Sequence, residues 1–455
     1  MSTEKLTVVG HLKALAQRLQ NTRNTVSQLA QATTDAIEEL DQRVDALTTY
    51  VPAVSGDGIL SWTNDAGKDN PPPVNLADLV IKALTDGDTE EYGASSFGVC
   101  WDYSNPSTAL TRLTAENDPN NLVNTSITTD PSPAVGTGSG SSPFDSYMPW
   151  KGMEEYNIVN NAVSYKKGAS GFSRTSNDTV VYIPEFYYKI VQDSSNSKMY
   201  YYISDSQMTG FTKHPGSGRY VGKYHTITGY YSKSGSPPLI DITRATARTN
   251  SKAKGSKWSQ YDFATYSAIV LLYLVEFADW NSQSKIGQGC GSGSGVNNGG
   301  CDSMNYHTGT SASSRTTAGP VQYRNIEGLW SNVFDWVDGI NMNNRSVYIC
   351  TTPANFADDT TTNYTATGIS LPSSNGYIKA MGYSSAAPWA MIPSANGGSE
   401  TTYVPEGVYS NSGWCVLCVG GYYISYAHCG LMCFDAFSGS SYSFISIGAR
   451  LLYIP

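Results

Sequence analysis

The residue types best able to do chemistry cluster late in the chain. Cys415, Cys418, Cys429 and Cys433 stand as C-x2-C followed by C-x3-C, and four thiolates at such intervals suit a tetrahedral zinc ion. The local sequence argues otherwise. On an extended strand residues three apart point to opposite faces, and Val416 and Leu417 between the first pair supply no glycine turn for a knuckle. Cys100, Cys290, Cys301 and Cys350 are scattered, and 8 cysteines in 455 residues are too sparse for a disulfide scaffold. Isolated thiols are the simpler reading. His428 and Asp435 with a choice of serines could be drawn as a hydrolytic triad, but the chain holds 5 histidines and no G-x-S-x-G elbow. Asp335, Asp338, Asn341, Asn343 and Asn344 offer hard oxygen ligands to calcium; turns rich in Asn are equally common in loops. The expectation is therefore no catalytic residue, no metal and no cofactor.

The same stretch suggests binding. Between Cys415 and Ser446 there is no Lys, Arg, Glu, Gln, Asn, Thr, Pro or Trp, while Tyr, Phe, Ser, Cys and Gly abound. A surface needed only for solubility would carry charge, whereas aromatic and small polar side chains make contact surfaces. Strand alternation over Ser441 to Ile447 turns Tyr442, Phe444 and Ser446 outward and Ser443, Ile445 and Ile447 inward.

The rest of the chain would position this surface. Residues 1–50 read as an amphipathic helix with Leu12, Leu15, Leu19, Val26, Leu29, Ile37, Leu40, Val44 and Leu47 on one seam, in heptad steps with one stutter and with Thr22 and Thr33 interrupting it. Such a stripe is buried by copies of itself, which predicts a parallel coiled coil and a homotrimer. Residues 51–91 turn to Gly, Ser, Asp and a Pro-Pro-Pro run and read as a linker with a short capping helix over Val74 to Leu84. The head, 92–455, alternates short β-like runs (Val180 to Val191, Met199 to Ile203, Tyr220 to Tyr231, Arg345 to Thr351, Gly376 to Tyr383, Ile447 to Ile454) with Gly/Ser-rich loops. Only two helices stand out, Thr243 to Lys254 and the nearly all-apolar Tyr261 to Trp280. That pattern predicts an α+β class.

Charged residues make up 15% of the chain and the net charge is −9, with no basic stripe of the kind nucleic-acid binders show. No run approaches the ~20 apolar residues of a membrane span, and Met1 to Thr7 does not begin a signal peptide. Synthesis in a host cytoplasm, without a signal peptide and without membrane insertion, is expected.

Several stretches carry a resemblance. GLWSNVFDWVDGI (Gly328 to Ile340) and the segment from Val419 to Tyr453 resemble the G-N-V-W-E-W signature and closing unit of the formylglycine-generating-enzyme family. YIPEFYYK, the run Ile286 to Gly289, and YHTGT followed by VQYRNIEGLW are similar to the variable proteins of phages and gut bacteria diversified by retroelements, a group that includes tropism determinants of phage tails. Both imply a C-type-lectin-like head with inserts. The enzyme chemistry does not carry over: the family's two catalytic cysteines would fall at Ser425 and Gly430, and the basic run that follows in the enzymes is here MCFDAFS. In the retroelement family adenines of Asn codons are randomised, which can yield Tyr, Ser, Cys, His, Asp, Gly, Ile, Phe or Ala but never Lys, Glu, Gln, Met or Trp. The segment 415–446 lacks Lys, Glu, Gln and Trp entirely, and its single Met, Met432, would then be framework.

The resemblance adds Cys415, Cys418, Tyr422, Ile424, Ser425, Tyr426, His428, Cys433, Asp435 and Phe437 to the outward, ligand-binding set, and makes Gly420, Gly421, Gly430, Leu431, Gly448, Ala449 and Arg450 scaffold. It implies a virion tail protein that joins other tail proteins through its N-terminus and adsorbs to a bacterial surface receptor, protein or glycan. Two alternatives remain: an enzyme of the formylglycine-generating type or another enzyme on the same fold, and a bacterial adhesin diversified by a retroelement.

Overall fold

The computed structural model describes residues 51–54, 59–63, 74–75 and 94–455. The chain divides into two units, Met1–Tyr92 and Gly93–Pro455. The expected coiled-coil seam, Leu12 to Leu47, lies outside the described residues. Within the first unit, part of the stretch read as linker is a small antiparallel sheet of Val51–Val54, Ile59–Thr63 and Val74–Asn75. Pro52 is compatible with it because its strand is an edge, where a missing N–H costs no ladder bond. Val74 and Asn75, the first two residues of the segment read as a capping helix, form a strand, and the rest of that segment, 76–84, lies outside the described residues.

The second unit is mostly β-sheet with few helices. Its largest sheet has nine strands, in the order Thr365–Ser370, Ser346–Ile349, Phe334–Asn343, Trp414–Val419, Phe434–Ala436, Val404–Ser410, Gly376–Met381 and Pro393–Asn396, with Ile447–Gly448 added beside Phe334–Asn343. A six-stranded sheet places Arg450–Tyr453 between Trp258–Gln260 and Arg219–His225. The single β-run expected from Val180 to Val191 is two strands, Asp178–Ile183 and Tyr187–Asp193, in different sheets. Pro184 separates them: it cannot donate to a ladder, and it is followed by a change of direction.

Helix α1 (Arg244–Ala253) and helix α2 (Phe263–Phe277) fall where the sequence places them. All 15 residues of α2 are buried, as an all-apolar surface requires. Asp262 caps it by accepting from the Thr265 N–H at 2.8 Å and is itself held by Arg219 at 2.6 Å. Glu276, its one acidic residue, is neutralised in the core by Arg324 and also accepts from the Tyr323 hydroxyl at 2.9 Å. A third, one-turn helix, α3 (Ser282–Lys285), starts at Asn281. Its polar sequence gives no periodic signal. Among the described residues no helix is long and apolar enough to cross a membrane.

Three of the five side chains considered for calcium are committed to arginines. Asp335 accepts from Arg450 at 3.0 Å, Asp338 takes both ends of Arg248 at 2.6 and 3.0 Å, and Asn341 accepts from Arg244 at 2.5 Å. Asn344 turns the chain with φ +48° and accepts from the Gly413 N–H. No group of three or more His, Cys, Asp or Glu among the described residues is placed to hold a metal ion.

Candidate functional site

Strand register determines what lies under the closing segment. Across the nine-stranded sheet Trp336, Cys418, Asp435 and Tyr409 stand side by side in one row, and Asp335, Val419, Phe434 and Val408 in the next. Successive rows face opposite sides. The second row faces the main core, where the Phe434 ring meets Phe263 of α2 at 6.4 Å. The first row is covered by the chain's own following loops. Phe334, Trp336, Val416, Cys418, Cys433 and Ile447 form a small separate core there, with Tyr409 and Tyr422 packed against it.

This second layer corrects four outward assignments. Cys415, Cys418 and Cys433 are at most 3% exposed, and Ser446 is 1% exposed. The cysteines sit where both faces of a central sheet are covered, which a strand followed by two covering loops cannot reveal in its own sequence. Ser446 is buried and Ile445 is 56% exposed because residues 439–446 are a turn and not a strand: Tyr442 donates to the Gly439 carbonyl and Ile447 to that of Phe444. Period-two alternation has no meaning there. The inward assignment of Ile445 is therefore also wrong.

Of the remaining assigned residues, Ile424, Tyr426, Phe437, Tyr442 and Phe444 are exposed, and Tyr422, Ser425, His428 and Asp435 are half-buried. With Ile445, the exposed set makes up six of the nine large apolar side chains that the described residues expose, all between Ile424 and Ile445. Tyr442 and Phe444 stack at 6.1 Å. Tyr426 is 60% exposed and adopts φ +50°, a left-handed conformation uncommon for a bulky residue. His428 stacks on Tyr377 at 4.3 Å, and burial lowers its pKa, so the ring is neutral at neutral pH. Burial also pushes the Asp435 carboxyl up to about 6, against the pull of the Phe437 N–H it accepts from at 3.0 Å.

The loops are fixed mainly through their backbone. Gln283 of α3 donates to the carbonyls of Cys429 and Tyr426 at 2.5 and 3.2 Å. The Leu431 N–H donates to Ser282 at 3.0 Å, and the Met432 N–H to the buried Glu406. The N–H groups of Tyr423 and Tyr426 reach the carbonyls of Asn332 and Gly291, and the carbonyls of Phe444 and Ser446 receive those of Asp241 and Phe334. Two serines add side-chain ties, Ser440 to Asp359 at 2.5 Å and Ser443 to Asp241 at 2.7 Å. Main-chain bonding of this kind does not depend on which side chain a position carries. Gln283, Ser282, Glu406, Asp241 and Asp359 were not legible as site residues. They lie from 9 (Glu406) to 174 (Asp241) positions before the 415–446 segment, and only contact in the folded chain connects them to it.

All eight cysteines are unpaired and buried. Burial raises the thiols of Cys415, Cys418 and Cys433 and pushes Cys429 up to about 12, so none is a thiolate at neutral pH. A disulfide-forming chromogenic reagent should therefore find almost no reactive thiol in the native protein and eight after denaturation. One fast-reacting native thiol would contradict the burial.

No protein-family model and no curated protein sequence matches the chain. Among solved structures it is similar to the Major Tropism Determinant U1 variant, with 9% identity, 89% of this chain and 85% of that chain covered, and a TM-score of 0.26. A second similar structure is the Major Tropism Determinant P3c variant, with 8% identity, coverage of 90% and 86%, and a TM-score of 0.26.

Proposed function

We propose that this chain is a receptor-binding protein of a phage tail, whose face at Ile424 to Ile445 adsorbs to a ligand on the bacterial surface without turnover. The observation that carries this reading is the concentration of six of the nine exposed large apolar side chains in one backbone-anchored segment. Contiguous exposed apolar surface costs solubility and is kept where a partner covers it. Tyr and Phe bury much area at low entropic cost, and the intervening Ser and Gly allow fit. In this reading the head is a C-type-lectin-like domain, and the segment is the target of a diversity-generating retroelement. Anchoring through main-chain groups is what lets its exposed side chains be replaced while the loops keep their course. The N-terminal seam from Leu12 to Leu47 assembles three copies and joins them to other tail proteins, so that modest affinity per head is multiplied by avidity.

The test is host adsorption by virions carrying Tyr426→Ala, Tyr442→Ala and Phe444→Ala together. Loss of two or three contact residues of this type commonly costs binding roughly 100-fold or more. Because all three side chains are exposed, the melting temperature should hardly move. Unchanged adsorption by a folded variant would refute the assignment of this face.

A further inference from the structure

The three exposed large apolar side chains outside that face, Val163, Tyr165 and Tyr231, lie on other elements. Tyr231 borders a cleft of about 550 Å³ at one end of the six-stranded sheet. Its walls come from the turn at Asn160 and Asn161, from Asn250 and Lys254 at the end of α1, and from Trp258. Tyr231 is 41% exposed and closes a hydrogen-bonded turn. Ile227 and Tyr231 exchange a backbone bond across the turn, Tyr230 adopts φ +61°, and Gly229 adopts φ +85°. A Cβ on Gly229 would come within 2.8 Å of the Tyr231 ring, so the ring lies down on the turn only because glycine is there. A bulky residue such as Tyr230 in the left-handed region stores backbone strain, which is commonly found where a loop must present a side chain.

The charges around this ring are specific. Lys233 and Lys254 hold their ammonium groups 4.2 and 4.3 Å from its centroid, and Lys254 is also 4.8 Å from Trp258. Asp178 binds Lys254 at 2.9 Å and offsets its charge, as does the C-terminal end of α1. Lys233 makes no ion pair among the described residues. In a chain of net charge −9, one uncompensated cation, Lys233, therefore stands against the aromatic ring that borders this cleft, whose own walls carry three side-chain amides and the paired Lys254 and Asp178.

We propose that this cleft is a second binding site, for an acidic saccharide bearing a carboxylate. The apolar C–H face of a pyranose packs on the Tyr231 ring, its hydroxyls bond to the amides of Asn160, Asn161 and Asn250, and its carboxylate pairs with Lys233. A few placed polar groups beside an aromatic wall is the usual composition of a small-ligand site, and a charge-assisted bond is about twice as strong as a neutral one. The site shares no residue with the aromatic face, so it would bind the same saccharide in every variant of that face.

Ligand-observed NMR on the full chain, with glucuronic acid, glucose and acetate as probes, tests the proposal. Glucuronic acid should bind at least roughly tenfold more tightly than either glucose or acetate. Tyr231→Ala and Lys233→Met should each weaken it by about tenfold, with melting temperatures unchanged. The triple alanine variant of the aromatic face should bind it like the parent, whatever becomes of adsorption. Absence of glucuronic acid binding, equal binding of acetate, or binding that survives Tyr231→Ala would each overturn the proposal.

Discussion

Replacing Asp335 by Ala is expected to cost the head about 3–5 kcal/mol, a large share of the stability of a typical domain. Arg450 is fully buried and uses all five of its donors. Nε reaches Asp335 at 3.0 Å, Nη1 the carbonyls of Gly222 and Lys223 at 2.9 Å each, and Nη2 those of Glu327 and Gly328 at 2.9 and 3.0 Å. The other oxygen of Asp335 faces His225 Nδ1 at 3.0 Å. Burial alone would raise this carboxyl, but the Arg450 guanidinium and then His225 hold it below its ordinary range. Removing the carboxylate leaves a buried, uncompensated guanidinium at the point where the nine-stranded sheet, the six-stranded sheet and the short strand Ile326–Glu327 meet. Thermal melting should show a drop of several degrees, and a Tm within about 3 °C of the parent would contradict the argument. Because the deficit comes from the stranded charge, adding Arg450→Met to Asp335→Ala should restore part of the loss.

Replacing Glu406 by Gln is expected to change how stability depends on pH. Burial pushes the Glu406 carboxyl up to about 8, while bonds from the Ser282 hydroxyl and the Met432 N–H pull it down only in part. The folded protein thus keeps a proton between pH 4.5 and about 8 that the unfolded chain, with an ordinary carboxyl, releases. Stability from this group is full below pH 4.5 and is lost as pH rises towards 8. The Gln variant loses one acceptor at every pH but lacks this slope. Its deficit relative to the parent should therefore shrink by on the order of 3 kcal/mol between pH 5 and pH 9 in urea denaturation. A pH-independent difference would contradict the assignment. The effect should reach the aromatic face, because Glu406 packs under Gly430, whose φ of +147° and lack of a side chain make room for the carboxyl. Acid acts in the opposite sense through His214, which burial lowers to about 3 and which therefore costs stability as pH falls below 6.5.

Elements with strong local signals were legible in the sequence. The nearly all-apolar run of α2 and the segment of α1 appear close to where the sequence reading places them, whereas the break that Pro184 makes between two strands was passed over in the single run from Val180 to Val191. The position of the exposed aromatic segment was legible from composition, because a run of Tyr, Phe and Ile without charge is unusual. Which of its residues point outward was not. Cys415 and Cys418 lie on a strand whose two faces are both covered, one by α2 and the other by loops up to thirty residues later in the chain, and no local pattern encodes that. The reversal of Ile445 and Ser446 has a simpler origin: an apparent alternation was read as a strand where two turn hydrogen bonds impose a different geometry. Gln283, Ser282 and Glu406 act on the face only through contacts made in the folded chain.

The strand Arg450–Tyr453 follows the proposed variable segment in sequence yet runs inside the six-stranded sheet, flanked on both sides. A frameshift or stop codon arising within 415–446 removes that strand and Arg450 with it, leaving Arg219–His225 and Trp258–Gln260 without the neighbour that joins them. Such products lack the strand that completes the six-stranded sheet, so the head is finished only when translation passes through the whole of 415–446.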